Sequence, residues 1–211
     1  MSAVLTPALD HVVLQNIRWQ TFEALLEDLG DHRGRIAYDG GTLEITSPSP
    51  KHEALKSLLG RFIETFTEEL NIKIASRGFT TLKSVLKAKG VEPDECYYIQ
   101  NEAAVRNRDE IDLARDPPPD LAVEIDITST FLNRRSIYAA LGIPEVWSHD
   151  GKELRVLRLK DGKYEASGES GTFPMLPMAE LAEFLKRRHA LDETALVRSF
   201  RAWVRERFGT R

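Results

Sequence analysis

Leu55, Leu58, Leu59, Phe62, Phe66 and Leu70 recur at three- and four-residue intervals. That spacing lays them along one stripe of an amphipathic helix. Ser49 ahead of it can cap the first turn, Pro50 suits that turn, and His52 extends the stripe at its N-terminal end. A shorter stripe of Phe22, Leu25, Leu26 and Leu29 predicts a second helix that Gly30 can end. Elsewhere the period is two. Leu43 and Ile45 alternate with Thr42, Glu44 and Thr46, and Asp39-Gly40-Gly41 before them supplies a hairpin turn. "IKIAS" and "TTLKSVLKA" read as strands, then "GVEPDECYYIQ", where Pro93 precedes the strand body. "NEAAVRNRDEIDLARDPPP" reads as a helix-tending loop that the prolines at 117–119 terminate. "FLNRRSIYAALG" predicts a helix stopped at Gly142. "PEVWSHD", "ELRVLRLKDG" and "KYEASGES" predict further strands, with Asp161-Gly162 as a hairpin turn. Two helices, near "PMAELAEFLKRR" and "DETALVRSFRAWVRERFG", close the chain.

One strand has an unusual second face. In "PPPDLAVEIDITST", Leu121, Val123, Ile125 and Ile127 alternate, as on a strand with one buried side. The other side carries Asp120, Ala122, Glu124, Asp126 and Thr128. Three carboxylates on one strand face repel each other and add nothing to a core. Strands separated by helices, with several hairpins, predict an α/β fold with a mixed sheet flanked by helices. The pattern is not a repeated βαβ, and no GxGxxG or Walker loop is present, so a doubly wound nucleotide fold is not expected.

The length, 211 residues, suits one domain over 1–211 with a sizeable core. Twenty-nine Lys/Arg against 33 Asp/Glu leave a formal charge of −4, so contact with DNA requires a local basic patch. Such a patch is present in the tail, about 186–211. There Lys186, Arg187, Arg188, Arg198, Arg201, Arg205, Arg207 and Arg211 outnumber Asp192, Glu193 and Glu206, a balance of +5. Val197, Phe200, Val204 and Phe208 form a helical stripe beside those arginines. The tail is therefore a docked helix, a phosphate-contacting patch or a dimer arm. The single cysteine, Cys96, excludes an internal disulfide and a cysteine-only zinc site, and fits a reducing cytoplasm. No secretory signal or membrane-spanning run is legible.

Residues two apart on a strand sit roughly 6–7 Å from each other, so Glu124 and Asp126 can reach one hard cation, whereas Asp120 is too distant. "VEPDECYYI" brings Glu92, Asp94 and Glu95 on a second strand. Two neighbouring strands delivering carboxylates to one place make an oxygen-rich site suited to magnesium or manganese. The competing reading is a solvated acidic strand face, with His52 as a packed helix-end residue.

"EPDECYYIQN", "PPDLAVEIDITST", "RRSIYAALGIPEVW" and "YDGGTLEITSPSPKHE" together resemble the Uma-type family of restriction-endonuclease-like proteins, in the PD-(D/E)XK nuclease superfamily. The resemblance runs from about 18 to about 177. It implies a restriction-endonuclease-like core, with a central mixed β-sheet and helices on both sides. It also implies a magnesium- or manganese-dependent DNA endonuclease that acts as a homodimer. Asp94 and Glu124 would bind the metal, with Asp126 beside them. Glu44, His52 and Glu53 match the N-terminal motif and would flank the site. The superfamily lysine two residues after the glutamate is replaced by Asp126. Arg134, four residues before Tyr138, stands where this family often carries a lysine. An arginine stabilises a phosphate but cannot act as a base. Lys83 is a candidate substitute. Without the lysine, weak cleavage or a non-catalytic nucleic-acid-binding or protein-interaction module is the alternative expectation. Tyr138 and Trp147 read as core residues.

Overall fold

The computed structural model describes residues 11–30, 34–78, 80–127 and 130–209. In chain order the elements are β1 (His11–Leu14), α1 (Trp19–Leu29), β2 (Arg35–Asp39), β3 (Thr42–Thr46), α2 (Pro50–Glu69), β4 (Ala75–Ser76), β5 (Leu82–Ser84), β6 (Lys89–Val91) and β7 (Glu95–Tyr98). Then follow α3 (Glu102–Val105), β8 (Leu121–Ile125), α4 (Arg134–Leu141), β9 (Glu145–His149), β10 (Leu154–Lys160), β11 (Lys163–Ser167), α5 (Met178–Lys186) and α6 (Glu193–Phe208), with a 3-10 turn at Arg187–His189.

The strands form two sheets. One is antiparallel, in the order β1-β3-β2-β6-β5; the other is mixed, in the order β11-β10-β9-β8-β7-β4. Among the described residues, β8 and β9 make the one parallel pair. A parallel pair needs a crossover, and α4 supplies it. Helices flank the mixed sheet, as the periodicity predicts, and the second sheet adds to that plan.

Three apolar clusters hold these layers. Leu121, Val123 and Ile125 of β8 pack with Leu55, Leu59 and Phe62 of α2, and with Phe184 and Phe200 from α5 and α6. The opposite face of β8 presents Ala122 to Ile137, Tyr138 and Leu141 of α4, which also meet Ala37, Leu82 and Val91 of the antiparallel sheet. Phe22 of α1 covers Ile36, Tyr38 and Leu43 on that sheet's far side. Alternation along β2 therefore sends Ile36 and Tyr38 outward to α1, and Arg35 and Ala37 inward. Arg35 pairs in register with Thr46, and Ala37 with Glu44, so these four share the inner face.

The predicted turns and caps are present where backbone geometry demands them. Ser49 accepts from His52 N, and Gly142 closes α4 at φ 83. Asp161-Gly162 turns the β10–β11 hairpin with both φ angles positive. Three expectations need correction. "TTLKSVLKA" is not one strand but β5 and a turn, with Ala88 at φ 48, that leads into β6 at Lys89. β1 was not predicted; its exposed pattern leaves no strong alternation. The carboxylate face of β8 is not open to solvent, because α4 covers it and all five β8 residues are buried. Thr128 of that face, and Arg211 of the tail, lie outside the described residues.

The tail is docked. Leu196, Val197, Phe200 and Val204 are buried, and α6 packs on α2. Its arginines meet carboxylates: Arg201 reaches Glu68 and Glu69, Arg205 reaches Glu69, and Arg207 reaches Glu180. The apolar stripe and much of the +5 charge are thus spent inside the chain, which answers for both without DNA or a dimer.

Candidate active site

Antiparallel pairing sets Glu95 opposite Val123 and Cys96 opposite Ala122. Asp94 immediately precedes β7, and Glu124 immediately follows Val123 on β8. Two backbone bonds fix Asp94 to β8. Asp94 N donates to Val123 O at 3.1 Å, and Ile125 N donates to Asp94 Oδ2. Pro93 suits a position just before the ladder, because it has no N–H to lose. On the other side of β8, Glu124 pairs with Ser148 of β9, whose hydroxyl donates to Asp126 at 2.6 Å.

Every one of these three carboxylates has an arginine. Arg35, from the inner face of β2, is in contact with Asp94. Arg134 Nη1 lies 3.7 Å from Glu124 Oε2, and Arg135 Nη2 lies 3.7 Å from Asp126 Oδ2. Arg134 is itself buried. It donates to Glu92 O and to the Thr46 hydroxyl, and its Nε finds no hydrogen-bond partner among the described residues. Tyr138, one turn along α4 from Arg134, donates its hydroxyl to Glu124 Oε1. Burial raises the Glu124 pKa, with Arg134 and Arg35 pulling the other way. Burial and then the Glu124 charge raise the Tyr138 phenol.

His52 comes into the same group from the start of α2. Its Nε2 lies 3.1 Å from Asp94 Oδ2 and its Nδ1 3.2 Å from Glu53 Oε1. Burial, and next the Arg35 guanidinium, bring its pKa down to about 4. At neutral pH the ring is uncharged and can donate to only one of its two carboxylates. Beside the carboxylates is a cleft of about 380 Å³, lined by Glu124, Asp126, Asn133, Arg134, Arg135 and Ser148.

Other predicted residues fall differently. Glu44 accepts from the backbone amides of Phe131 and Leu132, at 2.6 and 3.1 Å, so it holds the segment leading into α4. Asp120 accepts from Ile99 N, Asn101 N and Asn101 Nδ2, and so braces the start of α3. Glu92 bonds Ile36 N and the Thr81 hydroxyl, joining β6 to its neighbours. Lys83 stands on edge strand β5 in an exposed pair with Glu23, which removes it as a substitute lysine. Trp147 is core, as predicted, with its indole N–H on Glu145. Arg35 and Tyr138 were not read as site residues. Tyr138 had a signal, being four residues from Arg134 on one helix face. Arg35 had only its place on the inward phase of β2.

Magnesium retains several waters and takes one or two carboxylates together with substrate phosphate oxygens. Asp94 and Glu124 offer hard oxygens of that kind from adjacent strands, with Asp126 next along, so the donor chemistry fits. In this conformation arginines hold those oxygens. Among the described residues, no group of three or more His, Cys, Asp or Glu side chains converges to hold an ion. No helix among them is long and apolar enough to cross a membrane.

Residues 19–186 match the Uma2 family, described as "Putative restriction endonuclease". No curated protein matches the chain. A solved structure, described as a "putative nuclease belonging to DUF820" from Anabaena variabilis, has the same fold. It is 18% identical, with a TM-score of 0.50, over 71% of this chain and 90% of the other.

Proposed function

The chain belongs to the Uma2 family, and from that premise and the geometry of its acidic strand pair we propose that it is a nuclease hydrolysing DNA phosphodiester bonds. The observation that carries this reading is Asp94, at the entry to β7, bonded to Val123 O and Ile125 N on either side of Glu124, whose carboxylate lines a cleft with Arg134 and Arg135. A magnesium or manganese ion held by Asp94 and Glu124, with Asp126 beside it, would supply Lewis acidity toward a phosphoryl oxygen. The chain's own residues do the rest. Arg134 and Arg135, at the first two positions of α4, bind phosphate oxygens with their guanidinium groups, helped by the adjacent helix amides. Tyr138 fixes the rotamer of Glu124 through its hydroxyl. Asp126, half-exposed where the superfamily lysine stands, is the carboxylate placed to take a proton from a water in the cleft. Glu44 positions this machinery by holding the approach to α4. His52 orients Asp94.

A carboxylate is a weaker base than a lysine amine, so cleavage is slow in this reading. A second reading, a nucleic-acid-binding module without catalysis, is favoured by one observation: each proposed metal ligand already has an arginine partner. Plasmid nicking with magnesium and with manganese, beside Glu124→Ala, separates the two. Metal-dependent nicking lost in Glu124→Ala supports the nuclease. DNA binding with no nicking under either metal overturns it in favour of the binding module. Cutting both strands of a duplex calls for two sites, so the proposal includes a homodimer, tested by sedimentation. It also includes a reducing, cytoplasmic setting, in keeping with the buried free Cys96.

A further inference from the structure

Past the end of β9, two cations each approach one glycine. Gly151 follows β9 at φ +89, and a Cβ added there would lie 3.7 Å from Lys51 Nζ and 3.0 Å from Ile127. Arg188, in the 3-10 turn after α5, donates Nη2 to Gly151 O at 3.3 Å and Nη1 to Leu185 O at 3.1 Å. Both side chains act on His149 as nearby positive charges. After burial, which lowers its pKa most, Arg188 and also Lys51 lower it further.

Neither cation has a carboxylate within ion-pair distance among the described residues, whereas Arg35, Arg134, Arg135, Arg201 and Arg205 all do. Asp150, the acid next to Gly151, is engaged by Arg155 and by the amides of Lys152 and Glu153. Two adjacent like charges repel, and an anion between them removes that cost.

Their place connects them to the cleft. Ser148 bonds the Asp126 carboxylate, and His149 O accepts from Asp126 N at 2.9 Å. Gly151 lies two residues further, roughly 6–7 Å along the chain. A nucleic-acid strand rises about 3.4 Å per nucleotide, so a strand bound at the cleft has further phosphates within a few nucleotides to offer at this end of β9. Gly151 leaves room there, since its backbone carries no side chain between the two cations.

We propose that Lys51 and Arg188 form a second phosphate seat, which holds the nucleic-acid backbone next to the proposed nuclease site. The inference rests on the nuclease reading for the strand's path. It assigns tail-derived DNA contact to Arg188, not to the arginines of α6. The test is fluorescence anisotropy of a labelled duplex across a salt series, with wild type, Lys51→Gln, Arg188→Gln, the double variant, Arg188→Lys and Arg198→Gln. Each removed cation lowers the salt slope by about 1, and the double variant lowers it by about 2 and weakens binding at least about fivefold at moderate salt. Arg188→Lys retains most of the slope, and Arg198→Gln, an exposed α6 change, leaves slope and affinity at wild-type values. Circular dichroism confirms that each variant is folded. A folded double variant with wild-type slope and affinity overturns the seat, even while wild-type nicking keeps the nuclease reading. Failure of the wild type to bind any duplex removes both.

Discussion

Arg35→Met tests the internal neutralisation of the acidic pair. The substitution keeps much of the side-chain volume and removes the charge that contacts Asp94. Asp94 is fully buried, and its other oxygen is committed to Ile125 N. Two unit charges in contact attract by about 4 kcal/mol at an effective dielectric of about 20. Stranding one member of a buried pair costs about 3–5 kcal/mol in measured cases. These figures agree, and they are a large share of the roughly 5–15 kcal/mol by which domains are stable. Two further measurements separate charge from packing. Adding Asp94→Asn to Arg35→Met removes the stranded charge and should restore about half or more of the loss, because partners in contact are not additive. Manganese should also stabilise Arg35→Met, by about 2.7 kcal/mol when the ion is at 100 times that variant's dissociation constant, and wild type by less. Urea denaturation of wild type, Arg35→Met, Asp94→Asn and the double variant, with and without manganese, reads all of this. A loss below about 1 kcal/mol in Arg35→Met would refute the reasoning, since the surroundings would then be replacing the guanidinium. Equal manganese stabilisation of both proteins would show that Arg35 does not compete for Asp94.

Three other outcomes are expected. Glu44→Ala leaves the amides of Phe131 and Leu132 without their acceptor and costs about 2–4 kcal/mol, with faster hydrogen exchange at both; unchanged exchange there would remove its holding role. His52 has a folded pKa of about 4, below the unfolded value of about 6.5. The unfolded chain therefore binds more protons between those limits, and stability falls as pH drops through 6.5. The loss from His52 approaches about 3 kcal/mol near pH 4, and His52→Gln should flatten the profile; an unflattened profile assigns the loss elsewhere. Asp126→Lys restores the superfamily pattern and should raise nicking, within the roughly 10²–10⁴-fold that a well-placed proton acceptor contributes; abolished nicking would make Asp126 an essential ligand.

Element types were legible where period and punctuation agreed. α2 carries its cap, its proline and a long stripe, and its bounds follow from them. The β10–β11 hairpin follows from Asp161-Gly162. The β5–β6 hairpin did not, because its turn uses Ala88 in a left-handed conformation with no glycine or asparagine to mark it. Within the site, Asp94 and Glu124 were visible because charge on a strand that must be buried has few explanations. Their counter-charges were less visible. Arg134 stood in a motif, but Arg35 looks like any charged residue at the start of a strand. Only the packing of one sheet over another shows that its phase points inward. Asp120 and Glu92 show the converse: both carry the same charge as Glu124, and both turned out to brace the backbone.

The parallel pairing of β8 and β9 through α4 has a consequence for the order of assembly. Glu124, Asp126, Arg134, Arg135, Tyr138 and Ser148 all lie within residues 124–148. Contacts close in sequence form early in folding, and distant ones form late. The crossover can therefore gather most of the cleft by itself, whereas Arg35 and Glu44 arrive from more than 50 and more than 80 residues away. Opening of the N-terminal sheet would take Arg35 away from Asp94, and in the nuclease reading proposed above that would free the carboxylate for a divalent ion.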